Sequence, residues 1–173
     1  MKPTAKEFEK RFADLGSYLE SEEVEVLLTH LTERQFAIGE IALREGDNTD
    51  TAYLVWDGRL VVTVGSGAEA TEVGRCGPGV LLGEISFIDG GPATATVSAA
   101  ESTRVMCITA AALDELRRSH PRIATSVLRA VCRQLATRVR AVTDMLEDVR
   151  LGETRKGGGG GILDALRTLF GLS

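Results

Sequence analysis

The chain has 173 residues, 43% of them hydrophobic and 26% charged, with a formal net charge of −5. That length accommodates one sizeable core with appendages, and a second independent domain would leave each half small. No run approaches the ~18 consecutive apolar residues that span a bilayer, and the acidic balance does not favour a polyanionic partner.

The start, Met1-Lys2-Pro3-Thr4 followed by an acid-rich stretch, lacks the apolar core of a secretory signal, so a cytoplasmic protein is expected. Residues 1–33 read as N-terminal helices. Phe8, Phe12 and Leu15 share one helical face, and Val24, Leu27, Leu28 and Leu31 share another after a break at Gly16-Ser17. From 34 to 110 the pattern changes to short β-branched or aromatic runs separated by glycine: 36–38, 41–44, 52–55, 60–64, 72–75, 95–99 and 104–108. Strands this short, with turn signals every eight to twelve residues, predict a compact all-β roll whose corners are the turns at Gly39, Gly46-Asp47, Asp57-Gly58, Gly65-Ser66-Gly67 and Gly77-Pro78-Gly79.

Helical spacing returns at 111–118 and runs again from Pro121 to about Val149, so 111–150 is read as C-terminal helices. At ~1.5 Å per residue the second helix is about 43 Å long, more than a small roll covers. Its apolar stripe comprises Leu128, Val131, Leu135, Val139, Val142, Leu146 and Val149, at the spacing of a coiled-coil seam. The first half is expected to pack on the chain's own roll. The seam is expected to form a parallel homodimer, with Leu128, Leu135, Val139, Val142, Leu146 and Val149 at the interface. Between 116 and 140 lie seven arginines and no acid, read as a solvated basic face partly balanced by the acidic N-terminal helix.

Residues 151–161 form a Gly-rich linker that ends in five consecutive glycines. In 162–173, Ile162, Leu163, Leu166, Leu169 and Phe170 fall on one helical face, which predicts a docking peptide that folds on a partner surface. A hydrophobic groove on another protein suits it better than a membrane, because its one Arg167 is balanced by Asp164.

No chemistry of the catalytic kind emerges. Cys76, Cys107 and Cys132 are odd in number and widely spaced, without CxxC or His-x-x-x-His, which argues against disulfides and zinc. They read as small buried hydrophobes, and no metal or cofactor is expected. His30 and His120 sit at predicted helix ends without a spaced partner, so no catalytic residue is assigned and the chain is not read as an enzyme.

The informative segment runs Gly77-Pro78-Gly79-Val80-Leu81-Leu82-Gly83-Glu84-Ile85-Ser86-Phe87-Ile88-Asp89-Gly90-Gly91-Pro92-Ala93-Thr94-Ala95-Thr96-Val97. Gly83 ahead of a short helix lets backbone approach a ligand, and the unpaired N–H groups of that helix suit an anion. Upstream, Phe36, Gly39, Glu40 and Ile41, then Glu45-Gly46-Asp47, and then Ala52-Tyr53-Leu54-Val55 with Gly58 complete a consistent spacing.

Over about residues 24–145 this pattern resembles the cyclic-nucleotide-binding domains of catabolite-activator and protein kinase A regulatory-subunit type, with 83–97 matching their phosphate-binding cassette. The resemblance implies a β-roll and a ligand, cyclic AMP or cyclic GMP, held by Gly83, Glu84, Ile85, Ser86, Thr94 and Ala95. Glu84 would accept a hydrogen bond from a ribose hydroxyl. Ala93 departs from the pattern, standing where the family places its phosphate-binding arginine. A charge-assisted hydrogen bond contributes about 1.5–3 kcal/mol, one to two decades of affinity. No neighbouring arginine presents itself as a substitute; Arg75 and Arg104 lie on strands of undetermined facing.

Two functions follow. One is an adaptor that keeps the fold, dimerises through the long helix and docks through its C-terminal peptide, with nucleotide binding weakened or lost at Ala93. The other is a cyclic AMP or cyclic GMP sensor whose ligand moves the long helix and tail. A DNA-binding helix-turn-helix is not expected, since few residues follow Val149.

Overall fold

The computed structural model describes residues 3–150. Three short helices come first: α1 (Ala5–Arg11), α2 (Ala13–Gly16) and α3 (Ser21–Thr29). Thr4 starts α1 through a capping box: its hydroxyl accepts the Glu7 N–H at 3.3 Å, and the Glu7 carboxylate accepts the Thr4 N–H at 2.8 Å. Eight strands follow: β1 (Thr32–Phe36), β2 (Ile41–Leu43), β3 (Thr51–Asp57), β4 (Leu60–Val64), β5 (Thr71–Cys76), β6 (Leu81–Leu82), β7 (Thr96–Ala99) and β8 (Thr103–Thr109). The cassette helix α4 (Glu84–Asp89) lies between β6 and β7, and α5 (Ala110–Ser119) and α6 (Pro121–Arg150) close the described chain.

The strands form two antiparallel four-stranded sheets, ordered β1-β8-β3-β6 and β2-β7-β4-β5. Successive strand side chains point to opposite faces, and β3 and β8 use both. Tyr53, Val55, Val105 and Cys107 enter the core between the sheets, with Phe36, Leu60, Val62 and Val97. Ala52, Leu54, Trp56, Met106 and Ile108 face the helices and meet Phe8, Leu27, Leu116, Ile123, Val127 and Val131. The roll thus has two cores with one sheet between them. Burying Phe8 or Leu27 contributes roughly 1.5–3 kcal/mol each relative to exposure.

The sequence expectations hold for most strands, with three differences. The first strand occupies Thr32–Phe36 rather than 36–38, and Ile38 is 76% exposed in the following turn. An edge strand with one inward residue, Phe36, carries little apolar signal, so its polar residues read as loop. The second difference is β6, two residues paired with Tyr53 and Leu54, too short to show a period. The third concerns cysteine: Cys76 and Cys107 are buried, but Cys132 is exposed, on a face of α6 that meets no core. Burial pushes the Cys76 thiol up to about 12 and the Cys107 thiol to about 11, so both remain protonated.

The acidic N-terminal helices and the basic long helix meet. Arg133 pairs with Asp14 at 3.2 Å, and Arg122 with Glu23 at 3.0 Å and Glu20 at 3.5 Å. These partly exposed pairs orient α6 more than they stabilise it. His30 and His120 terminate α3 and α5, and the fold brings their rings to 6.5 Å between centroids.

Candidate ligand pocket

The pocket is made where β6 ends. Gly83 takes a left-handed conformation, φ +74°, turning the chain from β6 into α4; Gly90, φ +69°, ends that helix the same way. At Gly83 a Cβ would stand 2.8 Å from the Thr51 carbonyl oxygen, so the close approach of cassette to β3 needs glycine. The pocket is lined by Leu43 and Val62 of the second sheet, by Leu82 through Ser86, by 93–95 with Val97, and by Arg138.

The structure therefore brings Gly83, Glu84, Ile85, Ser86, Thr94 and Ala95 to one cavity together with Ala93. Glu84 is 1% exposed and Ser86 is also buried, whereas Thr94 is exposed. Ala93 is 7% exposed; its N–H donates to the Asp47 carbonyl at 2.9 Å, and its carbonyl accepts the Gly46 N–H at 2.8 Å. The corner at Gly46-Asp47 thus anchors the backbone at position 93 and turns its methyl toward the cavity. Thr96 has a structural role, its hydroxyl accepting the Glu45 N–H at 3.0 Å.

Neither strand arginine compensates for Ala93. Arg75 pairs with Glu72 at 2.8 Å, while Arg104 binds Asp57 at 2.5 Å and lies over the Trp56 ring. Arg138 is the cation that enters. Its Nη1 donates to Glu84 Oε1 across 54 positions of sequence, and it is 8% exposed. Burial pushes the Glu84 carboxyl up from its ordinary value, and the Arg138 charge opposes that shift. The free volume left in the cavity is about 30 Å³, room for about one water molecule.

Arg138 corrects the expectation that the basic segment of α6 is simply a solvated face. Val127, Val131, Gln134 and Arg138 recur at intervals of 4, 3 and 4 along one side of the helix. Val127 and Val131 join the helix-facing core, Gln134 donates to the Leu81 carbonyl at 2.8 Å, and Arg138 reaches Glu84. A stripe that begins apolar and ends polar is invisible to a search for apolar residues, which instead steps sideways to Leu135 and Val139. Leu135 packs against the chain's own core, Leu128 and Val142 are half-buried, and Val139 is 65% exposed. The side chains of Leu146 and Val149, the linker, and the docking residues Ile162, Leu163, Leu166, Leu169 and Phe170 lie outside the described residues.

The family model described as "Cyclic nucleotide-binding domain" matches residues 33–120. The chain belongs to the cyclic nucleotide-binding domain family. It is similar to the cyclic AMP receptor protein of Thermus thermophilus, 32% identical over 119 residues that cover 68% of this chain and 55% of that protein. It is also similar to patatin-like phospholipase domain-containing protein 6 of Pongo abelii, 30% identical over 99 residues. That match covers 56% of this chain, which spans about 7% of the phospholipase's length. A crystal structure of a cyclic nucleotide-binding domain from Methylobacillus flagellatus shares the fold with a TM-score of 0.72 at 24% identity, over 90% of this chain and 88% of that one. Among the described residues there is no DNA-binding domain, no helix long and apolar enough to cross a membrane, and no cluster of three or more metal-ligating side chains.

Proposed function

We propose that this cyclic nucleotide-binding domain is a non-catalytic regulatory or adaptor module of the cytoplasm, in which nucleotide binding is weakened or lost. The observation that supports this reading is the buried Glu84–Arg138 pair. The carboxylate that would accept a ribose hydroxyl already has an internal cation, and a cavity of about 30 Å³ is far below the ~300–1,000 Å³ of small-molecule sites. Ala93 adds no charge to attract a phosphate. Titration calorimetry with cyclic AMP and cyclic GMP tests it: no binding tighter than about millimolar is expected, and micromolar affinity for either would overturn the reading.

The second reading, a cyclic AMP or cyclic GMP sensor, draws on the intact turn at Gly83 and the convergence of Glu84, Ile85 and Ser86 on one cavity. The same titration decides between the two.

In the adaptor, output lies in the long helix and the residues beyond it. Exposed Val139 and half-buried Leu128 and Val142 suit a homodimer, and the peptide carrying Ile162, Leu163, Leu166, Leu169 and Phe170 recruits a second protein. Deleting residues 157–173 is expected to leave the far-UV circular dichroism of the roll unchanged and to abolish partner recruitment. Undiminished co-purification of the partner with the truncated chain would rule the peptide out.

A further inference from the structure

The Glu84–Arg138 pair deepens the reading of the pocket as one in which binding is weakened, and the inference rests on that reading. We infer that Arg138 is an internal counter-ligand that gates the cassette: it holds the carboxylate a nucleotide would need, and a nucleotide enters only when this side chain leaves. Three observations carry the inference.

The first is position. Arg138 comes from α6, not from the cassette, yet lines the same cavity as Gly83, Ser86 and Ala93. Position 93 leaves a methyl where a guanidinium would otherwise stand, so among the described residues the one arginine lining the cavity sits on the Glu84 side of it.

The second is burial. Glu84 and Arg138 are 1% and 8% exposed, so neither charge has enough water to exchange partners freely. The guanidinium holds one oxygen of the carboxylate and the cavity has room for about one water molecule, so a sugar hydroxyl reaches Glu84 only when the guanidinium gives way.

The third is that Arg138 has somewhere to go. It is also a wall of a second, larger cavity of about 700 Å³, bounded by Phe12 and Leu15 of the N-terminal helices, by the turn at Pro78–Gly79 and by Ala130 and Thr137 of α6. One side chain thus lines both a nearly filled pocket and a roomy groove. Release needs a rotamer change from one to the other while Gln134 keeps α6 anchored on Leu81. Occupancy of the pocket and the contents of the groove are coupled through one guanidinium.

The test is a binding comparison in the full-length chain with cyclic AMP as the probe. Ala93→Arg supplies the missing phosphate partner, and Arg138→Gln or Arg138→Met removes the gate. Ala93→Arg combined with either Arg138 substitution is expected to bind cyclic AMP at least tenfold more tightly than Ala93→Arg alone. Equal or weaker binding by the double variants, including no binding by any of them, would overturn the gate. Circular dichroism melting establishes which Arg138 variant is folded, and a folded Gln or Met variant suffices for the comparison. The wild-type titration reports separately on the proposed function: tight wild-type binding sinks that reading, whereas a missing tenfold gain sinks only the gate.

Discussion

Glu84→Ala is expected to lower the unfolding free energy by about 3–5 kcal/mol, measured as a drop in the urea midpoint at unchanged slope. The substitution takes the Glu84 carboxylate away from the Arg138 guanidinium in a site that is nearly closed to water. Replacing the pair together, Glu84→Leu with Arg138→Met, is expected to be close to neutral, because neither charge is then left desolvated. A loss below about 1 kcal/mol for Glu84→Ala would mean that the pair behaves like a solvent-screened surface bridge. The same residue has a pH signature. Burial raises the folded carboxyl above its ordinary value of 4.5, so the folded state holds that proton more tightly than the unfolded chain. The proton-linked part of its stability is therefore present below pH 4.5 and is lost as the pH rises through the folded value, and the pairing of the ionised carboxylate with Arg138 is what Glu84→Ala removes above it. Glu84→Gln is expected to flatten this part of the stability profile.

Gly83→Ala is expected to cost about 2–4 kcal/mol, from ~1–2 for a left-handed backbone and the rest from overlap. Its Cβ would lie 2.8 Å from the Thr51 carbonyl, a backbone atom of a central strand that cannot swing aside. Gly90→Ala is the matched control. It has nearly the same left-handed φ at the other end of α4, but nothing lies within 4 Å of its added Cβ, so only the ~1–2 kcal/mol of backbone strain is expected. Equal losses in urea unfolding would show that the contact with Thr51 does not constrain the cassette. The larger loss at Gly83 would also displace the start of α4, where Glu84 faces Arg138.

Both experiments bear on what could be read before the structure. The cassette was legible because it is local: Gly83, Glu84, Ser86 and Ala93 sit within eleven consecutive positions, and a turn followed by a short helix needs few residues to specify it. The strands at 41–44, 52–55, 60–64, 72–75, 95–99 and 104–108 were legible for a similar reason, since each is a short β-branched or aromatic run bounded by turn residues. Polar residues in structural positions were not legible. Most of β1, Gln134 and Arg138 all read as surface from composition, yet one is a paired strand and the other two close contacts with Leu81 and Glu84.

By itself, the amino-acid sequence determined the β-roll, the helices on either side, the family, and the absence of an arginine at position 93. Each follows from short-range pattern, where propensity and spacing act between residues a few positions apart. Only the tertiary structure decided what occupies the space that the absent arginine left. Glu84 and Arg138 meet across 54 positions because α6 packs Val127 and Val131 against the roll, and that packing fixes the helix rotation that carries Arg138 inward. A charge of that kind shows no preference for burial in its own neighbourhood. Its partner, and the cost of losing it, exist only once the helix is docked.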